Sequence, residues 1–421
     1  MTSSSVASAL RVPSSVTSLD DVRGVRPPVL PRHTSFEQAF AIAETLHDEL
    51  ATTAVDRDRA GGHPAPERER IRASGLLRQS IPVDYGGDGG SWHDVFRVVR
   101  RIAVADSAVA HLLGFHHLQI AGVLLYGSEA QRARFLTRTV YDHLFWGNAL
   151  NPLDHRAIAT AVDGGYRIDG IKSFCSGSVG SDMLTFSAWY EPTQTNLIAA
   201  LPTGTRGITV DEDWDAFGQR QTDSGTVRFD GVRLSSDDVL LAPSAVATSY
   251  EALRSCVAQL SMTNLYAGIA QGAFDAARGF ILDEARPWFA SGVGSVRNDP
   301  FIQHRWGELH LLLRPALTAA DAAAQALDIA FARGRRLSPE HRAEVAVAVA
   351  EAKVLSHRAA IEIASQLFEL TGPRATSARY GFDRFWRNAR VHTLHDPIDY
   401  KLRDLGRWAL EGRAPEPTPY S

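Results

Sequence analysis

From Ser35 onward the apolar positions Phe36, Phe40, Ile42, Ala43, Leu46 and Leu50 recur mostly three and four residues apart, which predicts an amphipathic helix. Glu67 to Leu77 continues the pattern. It stops at Ile81-Pro82-Val83-Asp84-Tyr85-Gly86-Gly87-Asp88-Gly89-Gly90, where glycine and proline break any helix. That run matches neither the dinucleotide fingerprint nor the P-loop, and reads first as a helix–helix connection. A second helical block is predicted from about Ser91 to Leu136. Val95, Val98, Val99, Ile102 and Ala103 form its first stripe. Ser107 reads as the cap of a following helix that carries Val109, Leu112, Leu113 and Leu118, and Ser128 and Gln131 have capping-box spacing.

The texture changes near Trp146. Tyr166 to Gly170 alternates after the turn Asp163-Gly164-Gly165. Met183–Trp189 and Asn196–Ala200 read as buried strands, and Thr226–Asp230 alternates ahead of Gly231. From about Ser249 the period is helical again. It runs through Leu253, Val257, Leu260, Leu265 and Ile269 to Ala285-Arg286-Pro287-Trp288, then through runs from Pro315 to Gly334 and from Glu340 to Thr371, which Gly372-Pro373 ends. The fold class is therefore α+β. A flexible arm (residues 1–34, rich in Ser, Val and Pro) precedes an N-terminal helical domain (35–140), a middle β domain (141–245) and a C-terminal four-helix bundle (246–421).

Composition narrows the function classes. With 421 residues, 44% hydrophobic and 22% charged, the chain reads as an ordinary soluble globular protein of two or three domains. A net charge of −4 without a long basic run disfavours nucleic acid as a partner. No apolar stretch reads as long enough to span a bilayer, and the N-terminus lacks a signal-peptide layout, so no membrane partner is expected. Two cysteines, Cys175 and Cys256, make no disulfide framework and are compatible with the cytoplasm.

The densest candidate chemistry lies in Arg384-Phe385-Trp386-Arg387-Asn388-Ala389-Arg390-Val391-His392-Thr393-Leu394-His395-Asp396-Pro397. If this segment is helical, His392 and His395 share one face, and Pro397 ends the element. A surface helix end with cations at its negative pole fits the same residues. No ligand spacing supports a metal. His111 falls on an apolar segment, with Phe115 and His116 after it. Lys172-Ser173-Phe174-Cys175-Ser176-Gly177-Ser178 offers hydroxyls and backbone donors at a strand end, and also fits a plain polar loop.

Several of these segments resemble the acyl-CoA dehydrogenase superfamily: Pro82-Val83-Asp84-Tyr85-Gly86-Gly87, Tyr126-Gly127-Ser128-Glu129-Ala130-Gln131, and Arg387-Asn388-Ala389-Arg390 in place of its Arg-Asp-Ala-Arg. Within it the chain is similar to the flavin-dependent monooxygenase branch, and to the dibenzothiophene monooxygenase family there. Ala54–Gly62, Phe174–Gly177, Gly218–Gly225, Ala285–Trp288, Tyr380–Asn388 and His392–Pro397 carry that likeness. The resemblance covers nearly the whole chain after the arm and implies an acyl-CoA dehydrogenase-like fold. The dehydrogenases' catalytic Glu-Gly is replaced by Asp396-Pro397 beside His395, so acyl-CoA dehydrogenation is the lesser expectation.

The resemblance further implies an enzyme that takes reduced FMN from a separate flavin reductase, uses O₂, and oxygenates a small aromatic substrate through a C4a-hydroperoxyflavin. Sulfoxidation of a dibenzothiophene-like thiophene comes first. Indole-type ring hydroxylation and amine N-hydroxylation are the alternatives on the same scaffold. By the same resemblance His395 stands nearest the flavin, His392 and His111 assist, and Ser176 and Asn148 line the pocket. Phe115, Asn148, Ala149, Leu150, Lys172, Ser173, Phe174, Cys175, Ser176 and Trp214 lie against the flavin. Arg286 holds its phosphate from an adjacent subunit, with Pro373 and Arg374, in a homotetramer. Two departures bear on the acceptor: Phe115 replaces a family Tyr, and Leu150–Thr160 is shorter than the family's loop.

Overall fold

The computed structural model describes residues His33–Ser421, so the expected arm lies outside the described residues apart from its last two positions. Five helices come first: α1 (Phe36–Ala60), α2 (Ala65–Ser74), α3 (Trp92–Ala105), α4 (Ser107–Tyr126) and α5 (Glu129–Tyr141). Capping chemistry fixes the starts of all but α2. Ser35 and Gln38 close a capping box on α1, Ser91 caps α3, and Ser128 and Gln131 close a second box on α5. Ser107 is not the cap of α4. Asp106 takes that place, its Oδ1 accepting from the amides of Ala108 (2.9 Å) and Val109 (3.0 Å), while the Ser107 hydroxyl accepts from Gln219. A carboxylate both fills the orphan amides and complements the helix dipole.

The glycine-rich run between α2 and α3 folds back on itself. Gly89 and Gly90 donate to the Ile81 and Gln79 carbonyls at 2.9 and 2.8 Å. A Cβ on Gly87 would lie 2.1 Å from the Ile81 oxygen, so the glycine is there for close backbone approach. Helix α4 is apolar on every side and buried along nearly its whole length. By length and composition it passes as a membrane span, which corrects the expectation that no such stretch exists; here it is the inner helix of the protein.

Eight strands follow: β1 (Trp146–Ala149), β2 (Ala157–Val162), β3 (Gly165–Lys172), β4 (Met183–Tyr190), β5 (Thr195–Pro202), β6 (Ile208–Val210), β7 (Val227–Ser235) and β8 (Val239–Leu241). They form one mixed sheet in the order β6-β7-β3-β2-β4-β5-β8, with β1 parallel to β4. Strands β4 and β5 are antiparallel from Met183↔Pro202 to Tyr190↔Thr195, and their centres are buried on both faces, hence their continuous apolar runs. Strand β7 alternates buried and exposed positions because one face meets water.

The remaining helices are α6 (Leu253–Asp283), α7 (Pro300–Arg333), α8 (Pro339–Thr371), α9 (Asp383–Thr393) and α10 (Ile398–Glu411). Helix α7 begins at Pro300, not Pro315. Asp299 caps it, and Pro315 sits inside a 34-residue helix whose Ala316, Ala320, Ala323 and Leu327 keep the buried stripe running. Helix α6 packs against α3, α4, α7 and α8, and small residues on it allow the close approach. Helix α9 stops at Thr393, so His392 and His395 are not on one helical face. The Leu394 cap turns the chain, and the His395 amide bonds the His392 carbonyl at 3.0 Å.

Candidate active site

Helices α4 and α6 run side by side: Gly114 of α4 faces Ser261, and Gly122 faces Arg254. Each turns one stripe toward a cavity of about 1010 Å³. The stripe of α4 is His111, Phe115, Leu118 and Tyr126; that of α6 is Arg254, Ala258 and Met262. The sheet closes the opposite side with Asn148 and Leu150 after β1, and Ser173, Phe174 and Ser176 after β3. The end of α9 supplies His392 and His395, the loop before β7 supplies Trp214, and Pro417–Tyr420 complete the wall.

His111 is only 3% exposed, and neither of its ring nitrogens has a hydrogen-bond partner among the described residues. Its ring stacks on Phe115 at 3.9 Å and lies 4.8 Å from that of His392, whose Nδ1 also lacks a partner. Burial, then the neighbouring His392 and His395, hold His111 well below the usual imidazole range. Burial, with His395 and Lys353, pushes His392 down to about 3. Both are neutral at neutral pH and carry unspent donors and acceptors.

His395 is oriented by a buried relay. Its Nδ1 lies 3.0 Å from Asp396 Oδ1, which also accepts from Lys353 Nζ at 2.5 Å, and Lys353 donates in turn to Gln259 at 2.5 Å. Burial alone would raise the Asp396 carboxyl. The His395 hydrogen bond and the Lys353 charge overcome it and hold the group well below the usual carboxylate range. An ionised carboxylate can only accept, so His395 Nδ1 carries the proton of this hydrogen bond and Nε2 is the ring nitrogen left to face other partners. Lys353 is 2% exposed, and burial pushes its ammonium down to about 8 against the pull of Asp396.

On the sheet side the Asn148 amide donates to the Ser176 carbonyl at 2.9 Å, and the Ser176 hydroxyl accepts from Ser224 at 3.4 Å. Between these anchors Phe174 takes φ 57°, costly for a residue with a side chain, and stands 72% exposed with its ring 5.8 Å from Trp214. Trp214 is itself fixed by donating to the Gln219 carbonyl at 2.8 Å.

Six sequence candidates lie outside this lining. Ala149 is buried in β1 opposite Phe186. The Lys172 ammonium turns to the carbonyls of Asn151 (2.8 Å) and Asp154. The Cys175 thiol contacts the Lys172 carbonyl, and burial raises it to about 12. Arg286 is exposed after α6, Pro373 follows α8, and Arg374 donates to the Glu284 carbonyl. Conversely, sequence reading missed Tyr126, Arg254, Lys353 and the Pro417–Tyr420 wall. Arg254 and Lys353 were visible as lone cations in apolar helical runs; the wall has no periodic signal.

A helical block, a mixed sheet and a helical bundle around a deep cavity define the class: the acyl-CoA dehydrogenase architecture. The acyl-CoA dehydrogenase N-terminal domain matches residues 37–141, and the C-terminal domain matches 260–400. The chain is 45% identical over 392 residues to the probable FMNH2-dependent monooxygenase SfnC of Pseudomonas putida, across 93% of this chain and 99% of that protein. It superposes on methanesulfinate monooxygenase MsuC of Pseudomonas fluorescens with TM-score 0.89 and 46% identity, covering 91% and 99% of the two chains. On the dibenzothiophene monooxygenase TdsC of Paenibacillus sp. A11-2, in its complex with FMN and indole, the TM-score is 0.88 at 38% identity, covering 91% and 100%. The chain belongs to the flavin-dependent monooxygenase branch of the acyl-CoA dehydrogenase superfamily.

Proposed function

We propose that this chain binds reduced FMN in the cavity and oxygenates the sulfur of a small aromatic acceptor, a dibenzothiophene-like thiophene first, with electrons from a separate flavin reductase. One observation carries the reading. Asp396, which the resemblance sets in place of the dehydrogenases' catalytic Glu, has its carboxylate committed to Lys353 and His395, so it is not free to take a substrate proton. What faces the cavity instead is imidazole.

The donor set fits a flavin. The exposed Phe174 ring and Trp214 offer apolar faces, Ser173 and Ser176 offer hydroxyls, and the unpartnered nitrogens of His111 and His392 are polar atoms that a bound ring system would satisfy. Reduced FMN supplies two electrons, with O₂ giving one oxygen atom to the acceptor and the other to water. His395 Nε2 accepts and returns the proton, with Asp396 and Lys353 holding the ring in that tautomer. His111 and His392 stay neutral and offer hydrogen bonds without adding charge. Ser176 and Asn148 position the acceptor, while Phe115, Leu118 and Met262 keep water from it.

Exposed Arg286 is followed in the chain by exposed Trp288 and Phe289, and Arg374 reaches back to the Glu284 carbonyl just before it. An apolar, cationic surface of this kind supports a homotetramer in which a neighbour's Arg286 holds the phosphate. The two buried free cysteines suit a reducing cytoplasm. The test supplies the protein with FMN, a flavin reductase and NADH in air, and follows dibenzothiophene, indole and butyryl-CoA separately. S-oxygenated dibenzothiophene is the expected product. Dehydrogenation of butyryl-CoA with an artificial electron acceptor, or indole hydroxylation without S-oxygenation, overturns the reading.

A further inference from the structure

The α6 stripe begins with a charge that the proposed chemistry does not use. Arg254 lines the cavity yet is only 9% exposed. One Nη2 donates to Gln119 Oε1 at a long 3.3 Å, and Nε has no partner among the described residues. Among the described residues no carboxylate pairs with it: Asp213 and Asp215, also in the lining, flank Trp214, Glu251 acts on the neighbouring Tyr126 and accepts from Thr248, and Arg254 itself interacts with Tyr126. The Tyr126 hydroxyl makes no hydrogen bond among the described residues. Burying an unpaired guanidinium is costly unless something of opposite charge completes it.

We infer that this end of the cavity is a subsite for an anionic oxygen group on the acceptor (a carboxylate, sulfinate or sulfonate), with Arg254 as its cation and the Tyr126 hydroxyl as a second donor. At the α-helical rise, the step from His111 to Gln119 is about 12 Å, so the subsite stands well away from the histidines. Leu118, Ala258 and Met262 lie between, an apolar span suited to an aromatic body. The acceptor is thus elongated, with its reacting atom at the histidine end and its anion at Arg254. The subsite stands on the buried charge alone; only the identity of the reacting atom as sulfur rests on the proposed function.

The experiment titrates the full chain, in the presence of oxidised FMN, with dibenzothiophene-2-carboxylate and its neutral carboxamide by calorimetry. The wild type should bind the carboxylate about tenfold or more tightly, since charge-assisted hydrogen bonds exceed neutral ones. Arg254→Gln should abolish that preference, Arg254→Lys should keep part of it, and Tyr126→Phe should reduce it. Equal wild-type affinity for the two probes overturns the inference without needing any variant. So does a loss of FMN binding in Arg254→Gln with the carboxylate preference intact, which would assign the arginine to the flavin phosphate. Oxygenation of neutral dibenzothiophene is scored separately: its absence strikes the proposed function, while a missing carboxylate preference strikes only the subsite.

Discussion

His111 and His392 are neutral because they are buried together, and that has a thermodynamic consequence. With a folded pKa of about 3 against about 6.5 unfolded, His392 takes up its proton more readily in the unfolded chain across that window. Its contribution to stability is therefore fully present above pH 6.5 and is lost as the pH falls toward 3. Chemical denaturation of the flavin-free protein across this range should show stability falling with acid. His392→Gln should flatten the slope by about 1.4 kcal/mol per pH unit; an unchanged slope would mean the ring is not buried neutral. At His395 the loss should be catalytic. His395→Ala should keep its fold but lose about 10²–10⁴-fold in product while reduced FMN is still consumed, with peroxide appearing instead. Lys353→Met should cost about 3–5 kcal/mol by leaving Asp396 buried without its cation, and adding Asp396→Asn should recover part of it. A neutral Lys353→Met would show the pair to be solvated.

At the scale of elements, the site depends on how closely α6 can approach its neighbours. A Cβ on Gly272 would meet the Val104 carbonyl oxygen at 2.2 Å and the Phe385 ring at 2.9 Å, so α3, α6 and α9 converge on this one position. Gly272→Ala must push them apart, at about 1–3 kcal/mol. Because α9 carries His392, thermal unfolding and product yield should fall together. A variant as stable and as active as the wild type would show that the contact has slack. The early end of α9 matters in the same way: by stopping at Thr393 it turns His395 toward Asp396.

At the scale of the whole molecule, the surface that bears Arg286 and Arg374 is apart from the cavity of its own chain. Light scattering should therefore give four times the 45.9 kDa chain mass. Arg286→Ala should weaken FMN by the about 1.5–3 kcal/mol of a charged hydrogen bond without changing the cavity. A fully active monomer, or unaltered FMN affinity in the variant, would remove the neighbour from the flavin site.

Local pattern carried much of this protein. The three- and four-residue spacings of α1, α3 and α4, the capping box at Ser128, the buried runs of β4 and β5, and the cluster around His392 were all readable, because short-range sterics and period set them. The errors were also local: Asp106 rather than Ser107 caps α4, Pro300 rather than Pro315 opens α7, and α9 ends before His395. What the chain could not disclose by itself is pairing at a distance. Lys353 and Asp396 are 43 residues apart, and Arg254 reaches Gln119 across 135. Whether a lone cation in an apolar helix is satisfied, exposed or left waiting for a ligand depends on which helix packs beside it. That is decided by the summed burial of the whole fold, and only the tertiary structure fixes it.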